Sequence, residues 1–164
     1  MTDPAPDHAP DPAEVLDACR AKGLLLVTAE SCTGGMVASS LVDIAGSSDV
    51  VQGGVVAYSN AVKQSMLNVR EATLIAHGAV SEETAREMAQ GALARLGGDI
   101  AVSTTGVAGP GASGPKPEGM VCFAVARRGG PTVSQTVNFG AIGRMQVREA
   151  SRDHALKMVL DALR

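Results

Sequence analysis

A chain of 164 residues with 45% hydrophobic side chains is long enough to bury a full core without staples, and is most simply one domain. Aromatic residues make up only 2% (Tyr58, Phe123 and Phe139, with no Trp), so the core must be built from Val, Leu, Ile, Met and Ala, and the stacking platforms of a single-strand nucleic-acid binder are missing. A net charge of −3, with no basic run longer than Arg127-Arg128, leaves no electrostatic footprint for nucleic acid and suits a small polar substrate or a protein partner.

Residues 1–10 alternate Pro, Asp and Ala without periodicity and read as a disordered tail ahead of a domain spanning 11–164. Nothing in this stretch resembles a signal peptide, and no apolar run reaches the length of a membrane span. Four of the eight prolines lie in the first twelve residues and none between Ala13 and Gly109, so every element in that span escapes a proline break. A first helix opens at Asp11, with Pro12 in its first turn and Val15, Leu16 and Cys19 as its apolar stripe. A strand over 24–29 follows, then a helix over 33–44, a second strand over 50–58 with Gly53-Gly54 as a bulge or close approach, and short helices over 60–68 and 71–77. Ser81 starts a longer helix that Gly97-Gly98 closes; a strand over 100–105 leads into a Gly/Pro-rich loop over 106–119. Segments 120–127 and 132–139 form a hairpin around Gly129-Gly130-Pro131, and a last helix covers 143–163. Helices alternating with strands, then a closing hairpin, predict an α/β sandwich with a mixed, mostly parallel sheet and an antiparallel edge.

The cysteines (Cys19, Cys32, Cys122) are widely spaced and read as free thiols of a reducing cytoplasm. The histidines (His8, His77, His154) and Asp49, Asp99 and Asp153 lack metal-ligand spacing, so no metal is expected. The letters G-x-G-x-x-G occur at Gly109–Gly114, but Pro115-Lys116-Pro117 follows where a dinucleotide site needs a helix, and Pro115 also spoils a Walker loop. That stretch reads as a surface loop or a lid.

The segment Glu30-Ser31-Cys32-Thr33-Gly34-Gly35 carries the most chemistry. A strand that stops there and turns into a helix places small nucleophiles where backbone N–H groups converge, a setting for a phosphate or a developing oxyanion. Ser31 is the candidate nucleophile, although Ser31 or Thr33 can equally serve as a plain helix cap. Tyr58 ends the next strand and Lys63 follows five residues later; with Thr105 they fall at strand ends that share one edge of a parallel sheet. A neutral, desolvated lysine can take the proton of a serine hydroxyl, whereas a solvated Lys63 and a water-facing Tyr58 are the plainer readings of those residues alone. Cys32 is the rival nucleophile, without a histidine in a suitable place. Glu30 can orient Lys63 or a substrate hydroxyl, or favour the helix dipole. Arg144 and Arg148, four apart on the last helix, share a face able to meet a phosphate or carboxylate.

These segments together resemble the CinA C-terminal domain family. The matching pieces run in order: 28–35, Asp43-Ile44-Ala45-Gly46-Ser47-Ser48, Gly53 to Asn60 with Lys63, His77-Gly78-Ala79-Val80-Ser81, Thr105 to Pro110, Lys116-Pro117 with Gly119, and Arg144 with Val147-Arg148. The chain departs from the family pattern at Glu118, where Val is frequent, and at Ile142-Gly143, where Gly-Asp is frequent. The resemblance implies a three-layer α/β/α sandwich and, as in the stand-alone nicotinamide-nucleotide amidases of the family, hydrolysis of nicotinamide mononucleotide to nicotinic acid mononucleotide and ammonia without a cofactor. It puts the nucleophile on Ser31 and its activating partners on Lys63 and Tyr58. Backbone around Thr33, Gly34 and Gly35 would hold the oxyanion, with Glu30, Thr105, Gly106, Gly109 and Arg144 at the substrate. A non-catalytic nucleotide-binding or regulatory domain of the same fold is the alternative. The expected partners are a small-molecule nucleotide and a second copy of the chain, with no nucleic acid or membrane.

Overall fold

Alternation of side chains along the strands sorts the core into two halves. The computed structural model describes residues 8–164; most of the expected N-terminal tail lies in residues 1–7, outside the described residues. Five strands form one sheet in the order β2-β1-β3-β4-β5, with β1 at Leu26–Glu30, β2 at Val51–Val56, β3 at Ile100–Gly106, β4 at Met120–Arg127 and β5 at Thr132–Asn138. β1 pairs in parallel with β2 and β3, whereas β3–β4 and β4–β5 are antiparallel. The sheet is therefore mixed in equal parts and not mostly parallel. The hairpin supplies two of the four pairings, because β4 returns from β3 through a loop, without the crossover helix that a parallel partner requires.

Along β3, Ile100 and Val102 face a cluster with Leu26, Val121, Phe123 and Val125, while Ala101 joins Val27, Ala29, Cys122 and Ala124 in a second cluster. Helices α1 (Pro12–Ala21), α2 (Met36–Val42) and α6 (Arg144–Ala162) cover the first. Helices α3 (Asn60–Leu67) and α5 (Glu82–Leu96) cover the second, with α4 (Glu71–His77) against α5. The parity of each strand residue thus decides which helix layer it meets.

Local chemistry sets the element boundaries. Asp11 caps α1 by accepting from the Ala13 amide, with Pro12 at the first helical position. Ser59 caps α3 and Ser81 caps α5, each accepting the amide three residues on. The helix expected over 33–44 begins only at Met36. Gly34 and Gly35 have φ of +58° and +100°, left-handed values that glycine tolerates and a right-handed helix excludes. The second strand is likewise shorter than its expected span to Tyr58. It carries a register irregularity, Leu26 pairing Val51 but Val27 pairing Gly53, and a Cβ on Gly54 would collide with the Thr28 hydroxyl. On the opposite face, a Cβ on Gly91 of α5 would collide with the Leu67 carbonyl, so α3 and α5 meet backbone to backbone there.

Candidate active site

The carboxyl ends of β1, β2 and β3 lie at one edge of the sheet, and the serine and lysine singled out in the sequence meet there. Ser31 follows β1, its amide continuing the ladder by donating to the Thr104 carbonyl at 2.9 Å. The Ser59 cap starts α3 so that Lys63 falls on its inner face, and the side chain runs under the end of β2 to put Nζ 3.0 Å from Ser31 Oγ. Nζ also lies 3.0 Å from the Ala57 carbonyl and 3.3 Å from that of Tyr58. Lys63 is only 2% exposed and makes no ion pair with a carboxylate among the described residues. Burial disfavours its charged form and lowers its pKa from the ordinary lysine value. A neutral amine has two N–H donors and one lone pair. The two carbonyls match the donors, leaving the lone pair for the Ser31 hydroxyl proton.

Other residues take different places. Tyr58 is 65% exposed and touches Lys63 through its carbonyl; its phenol is 3.2 Å from Nη2 of Arg144. Arg144 also donates at 2.6 Å to the Gly109 carbonyl, tying the 106–119 loop to Tyr58. Arg144 lines a cavity of about 240 Å³ with Gly106, Gly109 and the loop out to Ser113. In the same loop the Glu118 carboxylate accepts from the Gly111 amide at 2.5 Å.

Glu30 lies on the face opposite Ser31 and touches neither Lys63 nor open solvent. Its buried carboxylate accepts from the Thr33 hydroxyl at 2.7 Å and from the amides of Val37 and Ala38 at 2.8 and 3.1 Å. The anion at this helix start is thus the chain's own. Thr105 also departs from the expected substrate contact, since its hydroxyl donates to the Ala79 carbonyl and the residue is buried. Its neighbour Thr104 reaches the turn after Ser31 instead, its hydroxyl 2.7 Å from that of Thr33. Parity explains the exchange: Thr104 shares the face of Ile100 and Val102, Thr105 that of Ala101. Alternation from Val102 was the signal that could have singled out Thr104 in the sequence. Within the turn, the Gly34 amide donates to the Ser31 carbonyl and that of Met36 to the Thr33 carbonyl. Gly34 is thereby removed from the expected oxyanion donors, and Thr33 and Gly35 have no backbone acceptor among the described residues.

Burial pushes the Cys32 thiol up to about 12, which disfavours the thiolate that a nucleophilic cysteine needs. Among the described residues no three His, Cys, Asp or Glu side chains converge as metal ligands, and no helix is long and apolar enough to cross a membrane.

Fold and site together define an α/β protein with a buried serine–lysine pair at the carboxyl edge of its sheet. The chain belongs to the CinA C-terminal domain family, whose model matches residues 10–163. It is similar to the competence/damage inducible protein CihA of Agrobacterium tumefaciens, with a TM-score of 0.90 and 43% identity over 99% of both chains. A CinA superfamily protein of Escherichia coli gives a TM-score of 0.90 at 30% identity, over 99% of this chain and 94% of that one. A CinA-like protein of Chloroherpeton thalassium is 49% identical over 148 residues, which are 88% of this chain and 35% of that protein. The chain thus spans about a third of the length of the curated relatives it matches.

Proposed function

We propose that this chain is an amidohydrolase that converts nicotinamide mononucleotide and water to nicotinic acid mononucleotide and ammonia. One observation carries the reading: a lysine amine, buried with no carboxylate partner among the described residues and donating to two carbonyls, faces a serine hydroxyl at 3.0 Å. Membership of a family that includes nicotinamide mononucleotide amidases supports the choice of substrate.

In this reading Lys63 takes the Ser31 proton as Oγ attacks the carboxamide carbon. The tetrahedral oxyanion is held by amides of the turn that lack an internal partner, those of Thr33 and Gly35. The Lys63 ammonium then returns its proton to the leaving nitrogen and ammonia departs, leaving a nicotinoyl ester on Ser31. Lys63 next deprotonates a water that attacks the ester, and collapse regenerates Ser31 and releases the carboxylate product. The 5′-phosphate lies against the 106–111 loop and Arg144, whose guanidinium has five N–H donors, more than its two protein contacts use.

Ammonia release from nicotinamide mononucleotide by the wild type, Ser31→Ala and Lys63→Met tests the reading. The wild type is expected to turn over and both variants to lose at least about 10²-fold in kcat. Full activity in Ser31→Ala overturns the mechanism. A wild type that binds the nucleotide without releasing ammonia overturns the activity in favour of a binding domain.

A further inference from the structure

Arg148 lies one helical turn beyond Arg144 on α6 and points at neither substrate loop nor solvent alone. One edge of its guanidinium spans two successive peptide groups of the nucleophile turn: Nε donates to the Cys32 carbonyl and Nη2 to the Thr33 carbonyl, each at 3.1 Å. A Cβ on Gly34 would lie 3.3 Å from Nη2, so the glycine leaves the guanidinium room to cross the turn. The planar fork of arginine suits this two-pronged grip, with two N–H groups held in fixed relative directions; a lysine ammonium keeps the charge but not that geometry.

In a trans peptide the N–H points away from the C=O of the same unit. Drawing the Cys32 and Thr33 carbonyls toward α6 therefore turns the amides of Thr33 and Gly34 away from it. The Gly34 amide does donate in that sense, to the Ser31 carbonyl at 3.0 Å. A cation on the carbonyl also polarises the peptide and strengthens its N–H as a donor. Thr33 has its side chain fixed separately, between Glu30 and Thr104, so the guanidinium is the side-chain contact that sets these two peptide planes.

We propose that Arg148 is a positioning residue for the reaction: it orients and polarises the backbone of residues 32–34, and through it the alignment of Ser31 and of the Thr33 amide assigned to the oxyanion. It touches no substrate atom. The inference rests on the serine-nucleophile reading above.

The test compares wild type, Arg148→Lys and Arg148→Met for kcat and KM in amide hydrolysis and for the rate at which a fluorophosphonate labels Ser31. The labelling rate needs the same serine and oxyanion donors and does not depend on which amide is the substrate. Thermal melting and the amide NMR spectrum of each variant identify those that keep the fold. The expected result is a fall of about 10- to 10²-fold in kcat and in labelling rate for Arg148→Met. KM should stay within about twofold, and Arg148→Lys should recover only a small part of the loss. A folded Arg148→Met that labels and turns over at the wild-type rate overturns the inference while leaving Ser31 as nucleophile. If Arg148→Met does not fold, full rates in Arg148→Lys overturn it, because lysine keeps the charge but not the planar fork that spans the two peptide groups. A wild type that fluorophosphonate does not label at Ser31 overturns the nucleophile reading and this inference with it.

Discussion

Lys63 Nζ and Ser31 Oγ are 3.0 Å apart although they stand 32 positions apart in the sequence, and no carboxylate among the described residues forms an ion pair with Lys63. The charged form of Lys63 has to be desolvated on folding, and that cost is what lowers its pKa. Because the base acts only when neutral, kcat/KM should rise with pH through the lowered Lys63 pKa and fall away below it as the amine protonates. Between that pKa and 10.5 the unfolded chain binds more protons than the native one, so stability too should rise with pH across this window. Lys63→Met removes the titration. It should melt no lower than wild type at pH 7, show no pH dependence from this group, and lose about 10²- to 10⁴-fold in kcat. A pH–rate profile and parallel melting curves check both halves.

Cys32 stands beside Ser31 in sequence but not in chemistry. With its thiol pushed up to about 12 and its side chain in the cluster of Val37, Leu41 and Val147, it acts as small apolar filler. Cys32→Ala should keep kcat within about threefold and cost about 1–2 kcal/mol of stability for the vacated volume. Iodoacetamide should modify the native protein at Cys32 far more slowly than the unfolded chain, as peptide mass analysis would record.

Glu30 should matter for stability before it matters for rate. Its carboxylate accepts from a hydroxyl and two amides; in Glu30→Gln the side-chain NH2 would face one of those amide donors. A loss of about 2–4 kcal/mol in urea unfolding is expected for Glu30→Gln, since hydrogen bonds to a buried charged group are broken. Activity per folded molecule should fall less than in Lys63→Met.

The phenol of Tyr58 lies on Arg144 and not on Lys63, so proton transfer is expected to proceed without its hydroxyl. Tyr58→Phe should keep kcat within about threefold, whereas Arg144→Met should raise KM by about tenfold by freeing the 106–119 loop and removing a cation. Steady-state kinetics on the two variants separate these roles. A loss in Tyr58→Phe as deep as in Lys63→Met would restore the phenol as an acid–base group.

Much of this was readable along the chain. The periodic helices, the Gly129-Gly130-Pro131 hairpin and the shared edge of the strand ends followed from apolar spacing and turn residues. What failed was parity at strand ends, where the faces have to be carried forward from the apolar residues before them because the end residues are themselves polar. Glu30 and Ser31 are neighbours in one hydroxyl-rich segment, yet one turns to α2 and the other to α3. The pair Thr104-Thr105 divides in the same way. Arg148 was visible as a charge on a helix, but its grip on two carbonyls is a tertiary fact. The boundary of α2 was misplaced because capping residues and left-handed glycines both read as a helix start, and only backbone angles distinguish them.

The bare contact between Gly91 and the Leu67 carbonyl has a bearing on the serine–lysine pair from the rear of the molecule. Leu67 is one turn from Lys63 on the same inward side of α3, so the height at which that helix rests on α5 governs how far the amine extends. A single methyl at position 91 would lift the mount that carries the base, and Gly91→Ala should slow turnover without altering any group that substrate meets. The reach of Lys63 toward Ser31 is thus calibrated at the far seam between α3 and α5.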